Sequence, residues 1–183
     1  MRESVRAAKR RHLLLRWVFT VIVAAAAVPL AAQEPIQDDS APPPPKVLSK
    51  DERTQLDALT DVKKRTKLAV LLMELRIKRA EDLHTREADD DMFAELGGFH
   101  ALIDYTLDFL NSSDKDSGKV LNNFKRFEIS LRTFVPRLEV LRRDMPLKFE
   151  FYVRRLMLYL RDARAKAVEP LFGDTVVPSK RPE

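Results

Sequence analysis

The chain has 183 residues, 45% of them hydrophobic and 33% charged, with only four glycines and no cysteine. That is enough for one ordinary domain with additions, and so little glycine leans towards helices rather than a turn-rich β fold. The lack of cysteine excludes disulfides, zinc–thiolate centres, Fe–S clusters, c-type haem attachment and cysteine-linked lipid anchors.

The formal charge of +5 belongs to the N-terminus. The first 32 residues hold six Lys or Arg and one acid, Glu3, so the remainder carries 27 of each and no net charge. A basic isoelectric point therefore gives no ground for nucleic-acid binding. The remaining charge is nonetheless segregated: residues 33–118 carry 12 bases and 19 acids, residues 119–183 carry 15 and 8. Opposite halves of this kind attract when packed together, and the simplest expectation is pairing within the molecule.

Residues 1–32 read as an export signal, with a basic stretch containing Arg10 and Arg11 followed by an apolar run from Trp17 to Ala32. Sixteen residues fall short of the roughly 20 that span a hydrocarbon core. Cleavage after Ala32 is the leading reading, an uncleaved N-terminal anchor the alternative; the ordinary secretory route is favoured over the twin-arginine one. The protein is accordingly expected in the periplasm or outside the cell, or held at the inner membrane by its N-terminus. Membrane contact is expected only through that segment if it stays uncleaved. Residues 33–47, with Pro42 to Pro45 in a row, read as a disordered proline-rich linker too poor in apolar residues to build a core.

Residues 48–173 read as an all-α domain, an antiparallel bundle of about four long helices preceded by a short one. Ser49 with Glu52 forms a capping-box pattern that starts the short helix, and Thr60-Asp61 offers the next N-cap. Leu68, Leu72, Leu75 and Leu83 then mark a helix, with Arg86 to Asp91 as the break after it. The following helix places Phe93, Leu96, His100, Ile103, Leu107 and Leu110 on one stripe. It carries Gly97-Gly98 in its interior, where each glycine costs roughly 0.5–1 kcal/mol against alanine; close approach of a neighbouring helix is the expected compensation.

After a polar loop, Val120, Phe124, Phe127, Leu131, Phe134, Leu138, Leu141 and Met145 alternate steps of four and three residues without a miss. This is the seam of a long helix, about 39 Å over that span, which Pro136 should kink. Pro146 opens a last helix whose core stripe is Phe149, Val153, Leu156, Leu160, Ala163 and Ala167. Ten of the fourteen residues from 147 to 160 are apolar or aromatic, so this helix is either central or covered by a partner. Phe151, Tyr152, Met157 and Tyr159 are the residues expected on such a partner or self-association surface. Residues 174–183 form a tail.

Chemical motifs are largely absent. Gly118-Lys119 does not complete a phosphate-binding loop, since Ser113 stands where its first glycine belongs and Val120 where its Ser or Thr belongs. A calcium loop from Asp114 would place Gly118 one position early and end on Lys125 rather than a glutamate. Asp114 and Asp116 remain weak calcium candidates, and a helix-joining turn with Ser117 as N-cap is the simpler reading. Glu81 and His84 make one Glu-x-x-His pair where a di-iron bundle needs two. His84 and His100, with Asp89 to Asp91, are the weak metal candidates. His100 sits on a seam, where a hydrogen-bonded core histidine is the ordinary case. Asp104 and Asp108 read as a solvated face. No catalytic residue, cofactor or bound metal is expected, and the chain reads as a non-enzyme. The leading functional expectation is a protein-interaction or structural module of the bacterial cell envelope; the rival is a bundle that binds a metal or small ligand.

Three segments, "ELGGFHALIDYTLDFL", "DSGKVLNNFKRFEISLR" and "LRDARAKAVEPLFGDTVVP", resemble a family of exported all-helical proteins of acidobacterial-type soil bacteria. The resemblance spans about 45 to 178 and implies export and an all-α fold. It implies no activity and transfers no site residues.

Overall fold

The computed structural model describes residues 40–114 and 117–172. The expected export signal, the first part of the linker, Asp116 and the tail lie outside them. Among the described residues the protein is all-helical: α1 (Lys50–Asp57), α2 (Val62–His84), α3 (Asp89–Ser112), α4 (Gly118–Asp144) and α5 (Leu147–Val168), closed by a 3-10 turn at Glu169–Leu171.

Local sequence explains most of the boundaries. Ser49 accepts from the Glu52 amide while Glu52 accepts from the Ser49 amide, so the reciprocal capping box forms as read. Asp61 caps α2 by accepting from the Lys64 amide at 2.8 Å. Between these helices, Arg65 donates to the carbonyls of Leu59 and Asp57, satisfying acceptors that the end of α1 leaves open. Ser117 stands at the N-cap of α4 but makes no side-chain cap bond. Its carbonyl instead accepts from the amides of Val120 and Leu121. The α4 helix runs on through Pro136 without a break.

Two helical hairpins, α2 with α3 and α4 with α5, pack on each other through α2 against α4 and α3 against α5. Lys119 and Asp61 hold the first turns of α4 and α2 together at 2.6 Å, so these two neighbours run in the same direction. Antiparallel pairing is thus a property of each hairpin and not of every neighbour.

The seams pack as their spacing dictates. All eight positions of the α4 stripe and all six of the α5 stripe are buried. Phe99 meets Phe134 edge-on at 5.1 Å between centroids, and Phe93 lies 4.7 Å from Phe149. The α2 stripe is less faithful: Leu72 is buried, Leu68 and Leu83 are half-buried, and Leu75 is exposed.

The most enclosed helix is α3 rather than α5. Thirteen of its residues are buried, including Met92, Phe99 and Leu102 off the expected stripe. Its outer side is covered by the second half of the proline segment, which is not a free spacer over 40–47. Pro44 is buried, and the Ala41 amide donates to the Lys148 carbonyl at 2.8 Å.

Candidate functional site

Three places gather polar or apolar groups in unusual company. The first is a buried polar cluster between α3 and α5. His100 on α3 is 6% exposed; its Nδ1 lies 3.3 Å from the Tyr152 hydroxyl, and its ring lies against Tyr159 at 4.2 Å between centroids. The Tyr159 hydroxyl donates to Asp104, whose second oxygen is 3.6 Å from the Lys46 ammonium. His100 Nε2 has no hydrogen-bond partner among the described residues. Burial pushes the imidazole down to about 4, with Lys46 adding to the shift and Asp104 opposing it. Burial also raises both tyrosines above their ordinary range. All three rings are therefore uncharged at neutral pH. Asp104 belongs to this cluster and not to a purely solvated face, because its helix turns it towards α5.

The second place is the crossing at Gly97-Gly98. The expected neighbour was a helix; the structure puts a side chain of α2 at Gly98 but the proline segment at Gly97. A Cβ on Gly97 would stand 2.6 Å from the Pro45 carbonyl oxygen and 3.1 Å from the Pro44 Cβ, so the absent side chain admits the proline segment. A Cβ on Gly98 would stand 2.7 Å from the Arg76 guanidinium carbon. Lying in that gap, Arg76 forms a two-pronged bond to Glu52 (2.9 and 2.7 Å) and a third bond to Glu95 (2.9 Å). Burial alone would raise the Glu52 carboxyl, but Arg76 and the Ser49 cap outweigh it and hold it below the usual carboxylate range. The paired glycines were the legible signal; the identity of what fills the space was not.

Ion pairs elsewhere tie the helices together. Arg137 on α4 reaches Glu81 and Glu74 on α2, and Arg132 and Arg164 converge on the buried Glu128. Some of the ion pairs, among them Arg137 with Glu74 and Glu81 and Lys119 with Asp61, join the acidic half of the chain to the basic half.

His84 closes α2 and lies 3.3 Å from Asp89 at the start of α3, pinning a turn in which Glu87 adopts φ 58°. His100 keeps the separate company just described. Among the described residues no three His, Asp or Glu side chains gather at metal-ligating spacing. The Asp114 carbonyl accepts from the Ser117 amide at 3.2 Å, forming the polar turn ahead of α4.

The third place is the outward face of α5. Tyr152 is buried, and Met157 and Tyr159 are half-buried against the core, so three of the four residues expected on a partner surface face inward. Phe151 (51% exposed) points out as expected, joined by Leu147 (81%) and Leu158 (49%) in place of the other three. Five bases share that exposure, Lys148, Arg154, Arg155, Arg161 and Lys166, against one acid, Asp162. The Arg155 guanidinium lies 5.7 Å from the centre of the Phe151 ring. Near the end of α5 an open groove of about 520 Å³ is lined by Arg132, Arg161 and Arg164, by the acids Glu128 and Glu169, and by the exposed Phe172. A separate groove of about 800 Å³ beside the starts of α2 and α4 is lined by Lys63, Lys119, Asn122, Asn123, Lys125 and Arg126.

No protein-family model, curated protein or solved structure matches this chain. Among the described residues no helix is long and apolar enough to cross a membrane.

Proposed function

We propose that the chain is an exported, non-enzymatic helical module of the bacterial cell envelope that works by docking through the outward face of α5. The observation that carries this reading is the exposure of Leu147, Phe151 and Leu158 on one face of a helix whose other face is fully packed. Large apolar side chains aligned on a surface mark contact sites more often than single exposed ones do. The export part rests on the basic and apolar pattern of residues 1–32. The non-enzymatic part rests on the sequence, which completes neither a phosphate-binding loop nor a calcium loop nor the paired Glu-x-x-His of a di-iron bundle.

A photo-crosslinking amino acid at Leu158 in cells producing the protein tests the docking. Adducts from position 158, and none from the exposed Lys78 on α2, are expected. Equal silence or equal labelling at both positions refutes the reading. Fusion of a reporter active only outside the cytoplasm tests export, and an inactive fusion refutes it.

A second reading, binding of a small anionic ligand, is favoured by the four bases and two amides of the groove beside α2 and α4. Calorimetry with phosphate and with pyrophosphate tests it, and an absence of heat above dilution for both rejects it.

A further inference from the structure

We infer that the surface which occupies the α5 face is an anionic lipid bilayer, an inference that rests on the docking through α5 proposed above. Charge and side-chain spacing narrow the choice. Lys148 and Arg154 pair with Asp90 and Glu150, but a second copy of this chain would still bring Arg155, Arg161 and Lys166 against their own counterparts, which is repulsive at close range. A protein helix laid along α5 would read positions 147, 151, 154, 158, 161 and 165 as its seam. Those positions are Leu, Phe, Arg, Leu, Arg and Ala, so two guanidinium groups would have to be buried at the centre of the contact.

A bilayer interface imposes no such cost. Apolar side chains on an in-plane helix enter the headgroup and acyl boundary by about 5–10 Å, while Lys and Arg stems lie along it and return their charges to the phosphates. The α5 face has that composition along its length. Leu147, Phe151 and Leu158 supply the insertion, and Arg155 and Arg161 flank them. Arg155 and Arg161 form no ion pair among the described residues, so both are available to lipid phosphates. At the far end, Arg132 and Arg164 are taken up by Glu128, and Arg161 is left as the cation beside the exposed Phe172 ring.

The chain has no cysteine, so Leu158→Cys gives one labelling position in the otherwise unaltered full-length protein. A polarity-sensitive fluorophore there is read on vesicles of phosphatidylcholine alone and on vesicles of phosphatidylcholine and phosphatidylglycerol in equal parts. The exposed Lys78→Cys on α2, a helix packed chiefly against α3 and α4, is the control. The N-terminal apolar run is common to every variant, so the local label, rather than bulk co-sedimentation, is the measurement.

The expected result is a blue shift and quenching by lipid-borne quencher at 158 on the anionic vesicles only, weakened by salt, with the label at 78 remaining in water. Arg155→Gln with Arg161→Gln should weaken the transition about 25-fold, roughly fivefold for each base lost near an anionic surface. Circular dichroism of both variants checks that the fold is retained. A label at 158 that stays in water on anionic vesicles overturns the inference, as does equal insertion at 78. So does a shift without lipid that grows with protein concentration, which assigns the face to a second copy. If vesicles leave the label unchanged while the crosslinker at 158 captures an envelope protein, docking stands and the bilayer falls. If neither occurs, both fall.

Discussion

Gly97→Ala should change stability in opposite directions depending on whether the proline segment is present. In an exposed helix interior the substitution gains about 1 kcal/mol from helix propensity. Here the new Cβ would stand 2.6 Å from the Pro45 carbonyl oxygen, and 3.1 and 3.3 Å from Pro44 side-chain carbons. An ordinary contact requires the segment to lift by more than half an ångström. The α3 backbone cannot yield instead, because Phe93, Leu96 and His100 on the same helix are buried against the other hairpin. Four successive prolines are stiff, so the segment must move as a unit, at the expense of Pro44 burial and the Ala41–Lys148 hydrogen bond. Overpacking of this kind costs typically 1–3 kcal/mol, leaving a net loss of about 1 kcal/mol after the propensity gain. In a chain beginning at Leu48 the obstacle is gone, and Gly97→Ala should stabilise by about 1 kcal/mol. Urea unfolding followed by far-ultraviolet circular dichroism, on chains 40–172 and 48–172 with and without the substitution, measures both differences. A gain of equal size in both chains would show that the prolines do not lie on Gly97. A loss in both would assign the clash to another neighbour.

Acid should destabilise the protein through His100. Its folded value, about 4, lies below the ordinary 6.5, so the stability it contributes is complete above pH 6.5 and is lost as pH falls towards 4, by at most about 3 kcal/mol. Denaturant midpoints across that range should therefore fall with pH, and a His100→Phe variant with the same slope would refute the assignment. Arg76→Met should cost roughly 3–5 kcal/mol, because it strands the buried Glu52 and leaves Glu95 unpaired, while adding Glu52→Gln should recover part of the loss. Leu131→Ala, at a fully buried seam position, should cost about 3–5 kcal/mol, whereas Leu158→Ala should change stability by no more than about 0.5 kcal/mol. Thermal unfolding of the pair checks whether the outward face of α5 is as described; comparable losses would contradict it.

Periodicity and capping are local properties, and they were legible. A 4,3 alternation over Val120 to Met145 can be satisfied only by a helix with one buried seam, and that seam packs at every position. The Ser49–Glu52 box involves atoms three residues apart, so its hydrogen bonds followed from the chain alone. The α5 core stripe was equally plain, yet the residues beside it were not. Whether Tyr152 or Leu158 faces solvent depends on how far the contacts with α3 and α4 extend around the helix, and His100, through its Tyr152 contact, draws that side inward.

The glycine pair shows the same division. Helix spacing identified Gly97-Gly98 as a place of close approach, because a costly residue in a helix interior implies something packed against it. Only the tertiary structure decided that the visitors are a proline segment some fifty residues earlier and the arginine of α2. Composition marked residues 33–47 as unable to build a core of their own. It could not show that a stiff, extended segment with little entropy to lose would lie in a groove that another helix provides. The sequence by itself thus determined where the long helices run and which stripe α4 and α5 bury, since both follow from backbone geometry. The tertiary structure decided which helix is enclosed and which apolar side chains remain outside, since both depend on what packs against what.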